Sequence, residues 1–205
     1  METTHAGTAF ITGAGGGLGR AIAQALAARG VTVIAADIDL DQARETARLV
    51  ETAGGQAHAV YVDVTDPASA AGAVEAGTTA AGPLTALVNN AAIYATIRRA
   101  PFDEITVDEW DRVMAVNLRG PWVMAVAARD ALEDGGRIVN ISSATVFSGS
   151  EQWAHYVASK AGASDSPVYL PANSAPAASP STPWHPVSPS PKPVMRSSMT
   201  PTTTA

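Results

Sequence analysis

Cysteine is absent from the 205-residue sequence, and so is any excess of positive charge. Without cysteine the chain cannot form disulfides, thiolate metal sites or a cysteine nucleophile. Its 13 basic and 19 acidic residues give a net charge of -6, which offers no electrostatic basis for binding nucleic acid. No apolar stretch is long enough to span a bilayer, and the N-terminus lacks the pattern of a secretory signal. We therefore expect a cytoplasmic protein that binds neither nucleic acid nor membrane.

Proline is scarce in residues 1–162, which hold 4 of the 14 prolines, whereas residues 163–205 hold the other 10. The charged residues of the second region are Asp165, Lys192 and Arg196. Such a composition cannot bury enough apolar surface to offset chain entropy, which predicts disorder. The sequence thus predicts one folded domain over residues 1–162 and a disordered Pro/Ser/Thr-rich tail over residues 163–205.

Apolar runs typical of buried strands alternate with segments of helical periodicity along the first region. The predicted strands cover residues 9–11, 31–36, 57–62, 84–89 and 137–141. The predicted helices cover residues 20–29, 40–53, 66–81 and 106–131. Because apolar strands alternate with helices, we predict an α/β fold, a Rossmann-type doubly wound parallel sheet with helices on both faces.

A glycine-rich motif, TGAGGGLG, runs from Thr12 to Gly19 between the first strand and the first helix. Glycines at 13, 17 and 19 allow a tight turn, close approach of the backbone to a pyrophosphate and close helix–strand packing. The helix N-terminus adds unpaired N–H groups that favour phosphate. The position of the motif favours a dinucleotide site over an ordinary glycine-rich turn.

Acidic residues follow the second and third strands. Asp37 can accept hydrogen bonds from ribose hydroxyls and would repel a 2′-phosphate, which favours NAD over NADP. The alternative is a surface residue that caps the next helix, in a cluster with Asp39 and Asp41. Asp63 and Val64 are placed to reach an adenine, although such a pair more often forms a simple turn.

The asparagines of LVNNAA, residues 87–92, end the fourth strand. Their amides can pair with neighbouring backbone where the chain would pass beside a cofactor. Alone, the pattern is also typical of a strand-end cap.

Ser143, Tyr156 and Lys160 form the most informative pattern. Tyr156 and Lys160 are four residues apart, so they share one face of a helix. A free phenol has a pKa near 10, and a neighbouring ammonium lowers that pKa toward the range useful for acid–base catalysis. Ser143, 13 residues before Tyr156, can hydrogen-bond a substrate oxygen. By itself the Tyr/Lys pair would be read as an ordinary surface pair.

Together these motifs resemble those of the short-chain dehydrogenase/reductase family over nearly all of residues 6–162. The matching elements are Thr12–Gly19, Asn89–Ala91, Asn117 in AVNLRGPW, Ser143, and Tyr156–Lys160 in the pattern YxxxK. The resemblance implies that residues 1–162 form an incomplete dinucleotide-binding and catalytic domain, because the family's last strands are not recognisable after it. One departure is Ala92, where the family usually has glycine.

The resemblance also implies a role for each catalytic residue. Tyr156 would be the acid/base, Lys160 would lower its pKa and bind the nicotinamide ribose, and Ser143 would polarise the carbonyl. Asn117 would hold a water in a proton relay. The implied cofactor contacts are Thr12, Gly13, Gly17, Leu18, Gly19, Asp37, Asp63, Val64, Asn90, Ala91, Tyr156 and Lys160.

The implied activity is hydride transfer between NAD(H) and a small secondary alcohol or ketone, by a family that commonly forms homotetramers. Two alternatives stay open: an NADP-dependent 3-oxoacyl reductase-like enzyme, which Asp37 argues against, and a catalytically inactive dinucleotide-binding remnant.

The sequence from residue 163 departs from the family abruptly, inside the helix that carries Tyr156 and Lys160. In a reading frame shifted by one base, the tail can encode IGLTRVLARELGPRGISVNTVAPG, which fits the family's next helix and strand. We hypothesise that one base is lost near codon 163, so that residues 163–205 are out of frame and the chain has negligible turnover. The alternative is a genuine Pro/Ser/Thr-rich linker or interaction tail.

Overall fold

A computed structural model describes residues 6–148 and 150–164. Its strands are β1 (Thr8–Thr12), β2 (Thr32–Asp37), β3 (Ala57–Tyr61), β4 (Leu84–Asn89) and β5 (Leu132–Asn140). They form one sheet in the order β3-β2-β1-β4-β5, and all neighbouring pairs are parallel. This sheet confirms the predicted fold class. The predicted tail lies outside the described residues from position 165 onward.

The helices are α1 (Gly17–Ala27), α2 (Leu40–Thr52), α3 (Pro67–Ala81), α4 (Val107–Met114), α5 (Gly120–Ala128), α6 (Thr145–Ser148) and α7 (Ala154–Ser164). Side chains cap several of them at the N-terminus, as the sequence suggests. Asp66 accepts the N–H of Ala68, and Thr106 accepts the N–H of Glu109. None of the helices described here is long and apolar enough to cross a membrane.

The single helix predicted over residues 106–131 is instead divided by a π-helical segment, Ala115–Arg119. Pro121 explains part of this division, because it has no N–H to donate to the carbonyl of Asn117 four residues earlier. The helical hydrogen-bond pattern therefore changes at Asn117. Helix periodicity alone could not have located this change, since both flanking segments remain helical.

Both faces of the sheet carry a hydrophobic core, and consecutive strand residues alternate between them. Phe10 and Ile34 pack on one face with residues of α3 and α5, including Met124. Ile11 and Val33 pack on the other face with residues of α1 and α2. Because both faces are covered, the central strands read as continuous apolar runs in the sequence.

The strand register brings the motif residues to one edge of the sheet. Thr12 pairs with Ala36, next to Asp37, and Asn89 pairs with Asn140. In open parallel sheets, ligands bind in the crevice outside the carboxyl ends of the strands, where the strand order reverses. Here β1 has β2 on one side and β4 on the other, so that point lies beside the Thr12–Gly19 loop.

Close packing of α3 on the sheet depends on Gly77. A Cβ atom at this position would lie 2.9 Å from Ile34 Cγ2 and 3.0 Å from Ile34 Cδ1. Ile34 is fully buried, so its side chain has little room to move aside. The small residue therefore sets the distance between the helix and the sheet.

Gly77→Ala should destabilise the protein, whereas Gly72→Ala, in the same helix, should not. Because alanine has the higher helix propensity, either change stabilises the helix itself by up to about 1 kcal/mol. At Gly72 the new methyl group would meet no atom within 4 Å, so no packing cost opposes this gain. Overpacking costs about 1–3 kcal/mol. We expect the urea concentration at the midpoint of unfolding, measured by circular dichroism, to be lower for Gly77→Ala than for Gly72→Ala. Equal unfolding midpoints would contradict the proposed packing constraint.

Candidate active site

A cleft of about 690 Å³ opens at the carboxyl edge of the sheet. It brings together most of the residues predicted to contact a cofactor. Those on its wall are Gly13, Gly17, Leu18, Gly19, Asp37, Asp63, Val64, Asn90, Ala91, Tyr156 and Lys160. Thr12, Asn117 and Ser143 are not on the wall but lie next to residues that are.

The glycine loop leaves the N-terminus of α1 open toward the cleft. The N-cap residue is Gly16, which makes no side-chain cap, and the first turn contains no acidic residue. Gly13 has a φ of 65°, and a Cβ atom at Gly19 would lie 2.1 Å from the Gly13 carbonyl oxygen. A backbone cradle with free N–H groups fits the pyrophosphate of a dinucleotide.

Thr12 and Asn90 connect the ends of β1 and β4. The Thr12 hydroxyl oxygen accepts the N–H groups of Asn90 at 3.1 Å and Ala91 at 3.0 Å. In return, Asn90 Nδ2 donates to the carbonyl oxygens of Thr12 and Gly13, both at 3.0 Å. Thr12 thus lies beneath the loop and holds the start of the segment after β4 in position, but it does not line the cleft.

Asp37 is held by backbone groups rather than by a helix cap. Its Oδ2 accepts the N–H of Gly15 at 2.8 Å, and its Oδ1 accepts the N–H of Asp39 at 3.0 Å. The residue that caps α2 is Asp39, which accepts two N–H groups of the first turn. Asp37 therefore faces the cleft with a fixed carboxylate, and the exposed side chain of Ile38 lies beside it.

Asp63 and Val64 form a turn that also borders the cleft. Asp63 Oδ1 accepts hydrogen bonds from the N–H and the hydroxyl of Thr65, at 2.8 and 2.7 Å. Val64 is buried and packs against Gly120 at the start of α5. The simple-turn interpretation and the position on the cleft wall are thus compatible.

Tyr156 lies at the other end of the cleft, on α7. Burial raises the pKa of its phenol, a hydrogen bond with the Ser143 side chain lowers it, and Tyr94 raises it further. The net shift is upward. The expected lowering of this pKa by Lys160 stays a prediction.

Lys160 is nearly buried, and its Nζ donates to the carbonyl oxygen of Ile141 at 2.7 Å. Because burial disfavours the ammonium form, the pKa of Lys160 is lowered. The bond to Ile141 holds the charged end of the side chain at the end of β5. Ser142, the next residue, also borders the cleft.

Asn117 lies in the π-helical segment and is almost fully buried. Its Oδ1 accepts the N–H of Ile93 at 2.7 Å, while its Nδ2 donates to the Ile93 carbonyl at 3.1 Å and to Ser159 Oγ at 3.2 Å. One amide therefore ties the loop after β4 to the helix that carries Tyr156. Its neighbour Val116 reaches the cleft wall.

An aromatic cluster surrounds the phenol of Tyr156, and the motif pattern did not predict it. The ring centroids of Tyr94, Trp153 and Tyr156 lie 5.1 to 5.6 Å apart. The guanidinium of Arg99 covers Trp153 at 4.3 Å from the ring centroid. Tyr94 comes from a loop whose sequence has no periodicity, so no local signal placed it here.

The family model for "short chain dehydrogenase" matches residues 7–166 of this chain. The chain belongs to this short-chain dehydrogenase family. Galactitol 2-dehydrogenase of Agrobacterium fabrum (strain C58 / ATCC 33970) is 40% identical over 156 residues, which are 75% of this chain and 59% of that protein. Sorbitol dehydrogenase of Cereibacter sphaeroides is also 40% identical, over 157 residues, with the same two coverages of 75% and 59%.

A solved structure shows the same fold. The blue fluorescent protein from a metagenomic library, in complex with NADPH, aligns with a TM-score of 0.69 at 35% identity. The alignment covers 78% of this chain and 65% of that one.

The chain spans about 59% of the length of galactitol 2-dehydrogenase and of sorbitol dehydrogenase.

Substitutions around Tyr156 should shift its pKa in opposite directions. Ser143→Ala removes a hydrogen bond that lowers the pKa, so the pKa should rise; Tyr94→Phe removes a group that raises it, so the pKa should fall. The measurement is an alkaline titration of ¹³C-labelled tyrosine by NMR, with the Tyr156 signal assigned through Tyr156→Phe. Tyr61→Phe, an exposed tyrosine outside the cleft, is the control and should leave the pKa unchanged. Shifts of equal sign for the two variants would contradict the described contacts.

Proposed function

We propose that the site belongs to an NAD-dependent oxidoreductase that interconverts a secondary alcohol and its ketone. The observation that carries this proposal is that the glycine loop and the phenol of Tyr156 open onto one cleft. One end of the cleft offers backbone N–H groups for a pyrophosphate, and the other offers a buried acid–base group. The named relatives act on galactitol and sorbitol, so polyols are the first substrate class to test.

The proton would move between Tyr156 Oη and the substrate oxygen. Ser143 already hydrogen-bonds the phenol, so a substrate oxygen could be held by both hydroxyl groups. A bound nicotinamide would supply the group that takes up or releases the hydride. Asn117 would keep α7 in place against the loop after β4, and Lys160 would place a positive charge near the phenol end of the cleft.

NAD is favoured over NADP by the charge of the cleft wall. Asp37 is fixed by two backbone N–H groups, and its other lone pairs can accept ribose hydroxyls. Lys160 is the one basic residue among the described residues that line the cleft, and it lies with Tyr156 rather than with the glycine loop. A 2′-phosphate would therefore meet a carboxylate, and among the described residues that line the cleft there, none is basic.

The chain should bind NADH more tightly than NADPH, by about tenfold or more. The reason is that the Asp37 carboxylate and the 2′-phosphate of NADPH would repel each other. Two like charges a few ångströms apart near a protein surface repel by more than the ~1.4 kcal/mol that a tenfold preference requires. Asp37→Ser should reduce this preference by relieving the repulsion. Asp41→Ser, on the exposed first turn of α2, is the matched control. Fluorescence titration of the nucleotides measures both affinities. An unchanged ratio in Asp37→Ser would rule out this role for the carboxylate.

A second candidate function is dinucleotide binding without turnover. The family match ends at residue 166, and the Pro-rich sequence that follows does not resemble the family's substrate-covering segment. For the 205-residue chain we keep the expectation of negligible turnover. Binding of NADH alone would then be its remaining activity.

Insertion of one base after codon 162 should separate the two candidates. If the tail is out of frame, the corrected gene should yield NAD-dependent oxidation of galactitol or sorbitol, and Tyr156→Phe in that product should abolish it. The original chain should bind NADH yet show no such oxidation. Rates in the original chain that match the corrected one would contradict the frameshift hypothesis, and a corrected chain with no alcohol or ketone activity would contradict the proposed reaction.

A further inference from the structure

A guanidinium group lies against the glycine loop on the side that faces α2. Arg20 lies at the end of the first turn of α1, and its Nε donates to Thr46 Oγ1 at 2.9 Å. A terminal nitrogen donates to the carbonyl oxygen of Gly15 and, at 3.0 Å, to Gln42 Oε1. No carboxylate of the described residues lies within salt-bridge distance of Arg20. The N–H groups of Arg20 thus donate to uncharged oxygen atoms of the glycine loop and of α2.

Thr46 gives the loop a second attachment to α2. Its side chain is fully buried, and its hydroxyl donates to the carbonyl oxygen of Ala14 at 2.7 Å while accepting from Arg20. The carbonyl groups of two successive loop residues, Ala14 and Gly15, are therefore both held from the same side. A hydroxyl that both donates and accepts in a buried setting fixes its partners closely.

These attachments also determine where the loop's N–H groups point. In a trans peptide the C=O and N–H groups point in opposite directions. When Arg20 binds the Gly15 carbonyl, the N–H of Gly16 must point away from Arg20. Gly16 is the N-cap of α1 and borders the cleft. The N–H of Gly15 is taken by Asp37, so the loop is held by both helices and by β2.

We propose that Arg20 is a positioning residue for the dinucleotide: it fixes the glycine loop so that backbone N–H groups meet the pyrophosphate, without contacting the ligand itself. This inference rests on the proposed function of the cleft. It requires the forked geometry of the guanidinium, because one side chain must reach Thr46, Gln42 and Gly15 together. A lysine ammonium in the same place keeps the charge but not the fork.

The test compares Arg20→Met, Arg20→Lys and Arg29→Met by titration with NADH and with adenosine. Arg29 is an exposed arginine just after α1 whose side chain donates only to the carbonyl of Ala25 among the described residues. Because the loop would lose the bonds that orient its N–H groups toward the ligand, we expect Arg20→Met to weaken NADH binding by about tenfold or more. Arg20→Lys should lose nearly as much, and Arg29→Met should bind as the unmodified chain does.

Adenosine separates positioning from a loss of folding, because it carries no phosphate. Its affinity should change little in Arg20→Met, whereas a variant that merely unfolds would lose both ligands together. Full affinity for NADH in Arg20→Met, or full recovery in Arg20→Lys, would overturn the proposal. A parallel loss of NADH and adenosine would overturn it as well.

Hydrogen exchange keeps the test independent of the proposed function. In the free protein, Arg20→Met should speed amide exchange in residues 13–19 relative to Arg29→Met, because the loop loses its attachment to α2. If the unmodified chain fails to bind NADH, the proposed function fails, and exchange alone decides on Arg20. Unchanged exchange in the loop would then refute its positioning role.

Discussion

The hydroxyl of Thr12 and the side-chain amide of Asn90 join the carboxyl ends of β1 and β4. The two segments that line the cleft both start at this junction. The two residues exchange hydrogen bonds with each other's backbone, so neither strand end can move alone. The glycine loop begins at one side of the junction, and the chain toward Tyr94 begins at the other. Both walls of the cleft therefore take their positions from a few bonds at the switch point of the sheet.

Charge and burial divide the cleft into two chemical regions. At the loop, the fixed carboxylate of Asp37 and the free N–H groups of α1 favour a ligand that has both ribose hydroxyls and phosphate. At the far end, burial raises the pKa of Tyr156 and lowers the pKa of Lys160. The hydrogen bond with the Ser143 side chain opposes the effect of burial, because it lowers the pKa of the phenol.

Much of this arrangement was predictable from the sequence, because it depends on local patterns. Continuous apolar strands predicted the parallel sheet, and the glycine spacing predicted the loop at the end of β1. The features that were missed depend on tertiary contacts. Lys160 donates to Ile141, and Tyr94 packs on Tyr156. Each of these contacts forms only when elements that are distant in the sequence come together. Arg20 escaped notice because an arginine in a helix is ordinary until its partners are known.

The π-helical segment at Asn117 rotates α5 about the helix axis relative to α4. Each residue of an α-helix turns the chain by about 100°, so a turn that holds one extra residue rotates everything after it by that amount. The buried faces of α4 and α5 therefore do not lie on one continuous stripe: Val113 packs beside Tyr156, while Met124 packs in the core under the sheet. A one-residue deletion in this segment would bring α4 and α5 into a single helical phase and turn one of these two faces toward solvent.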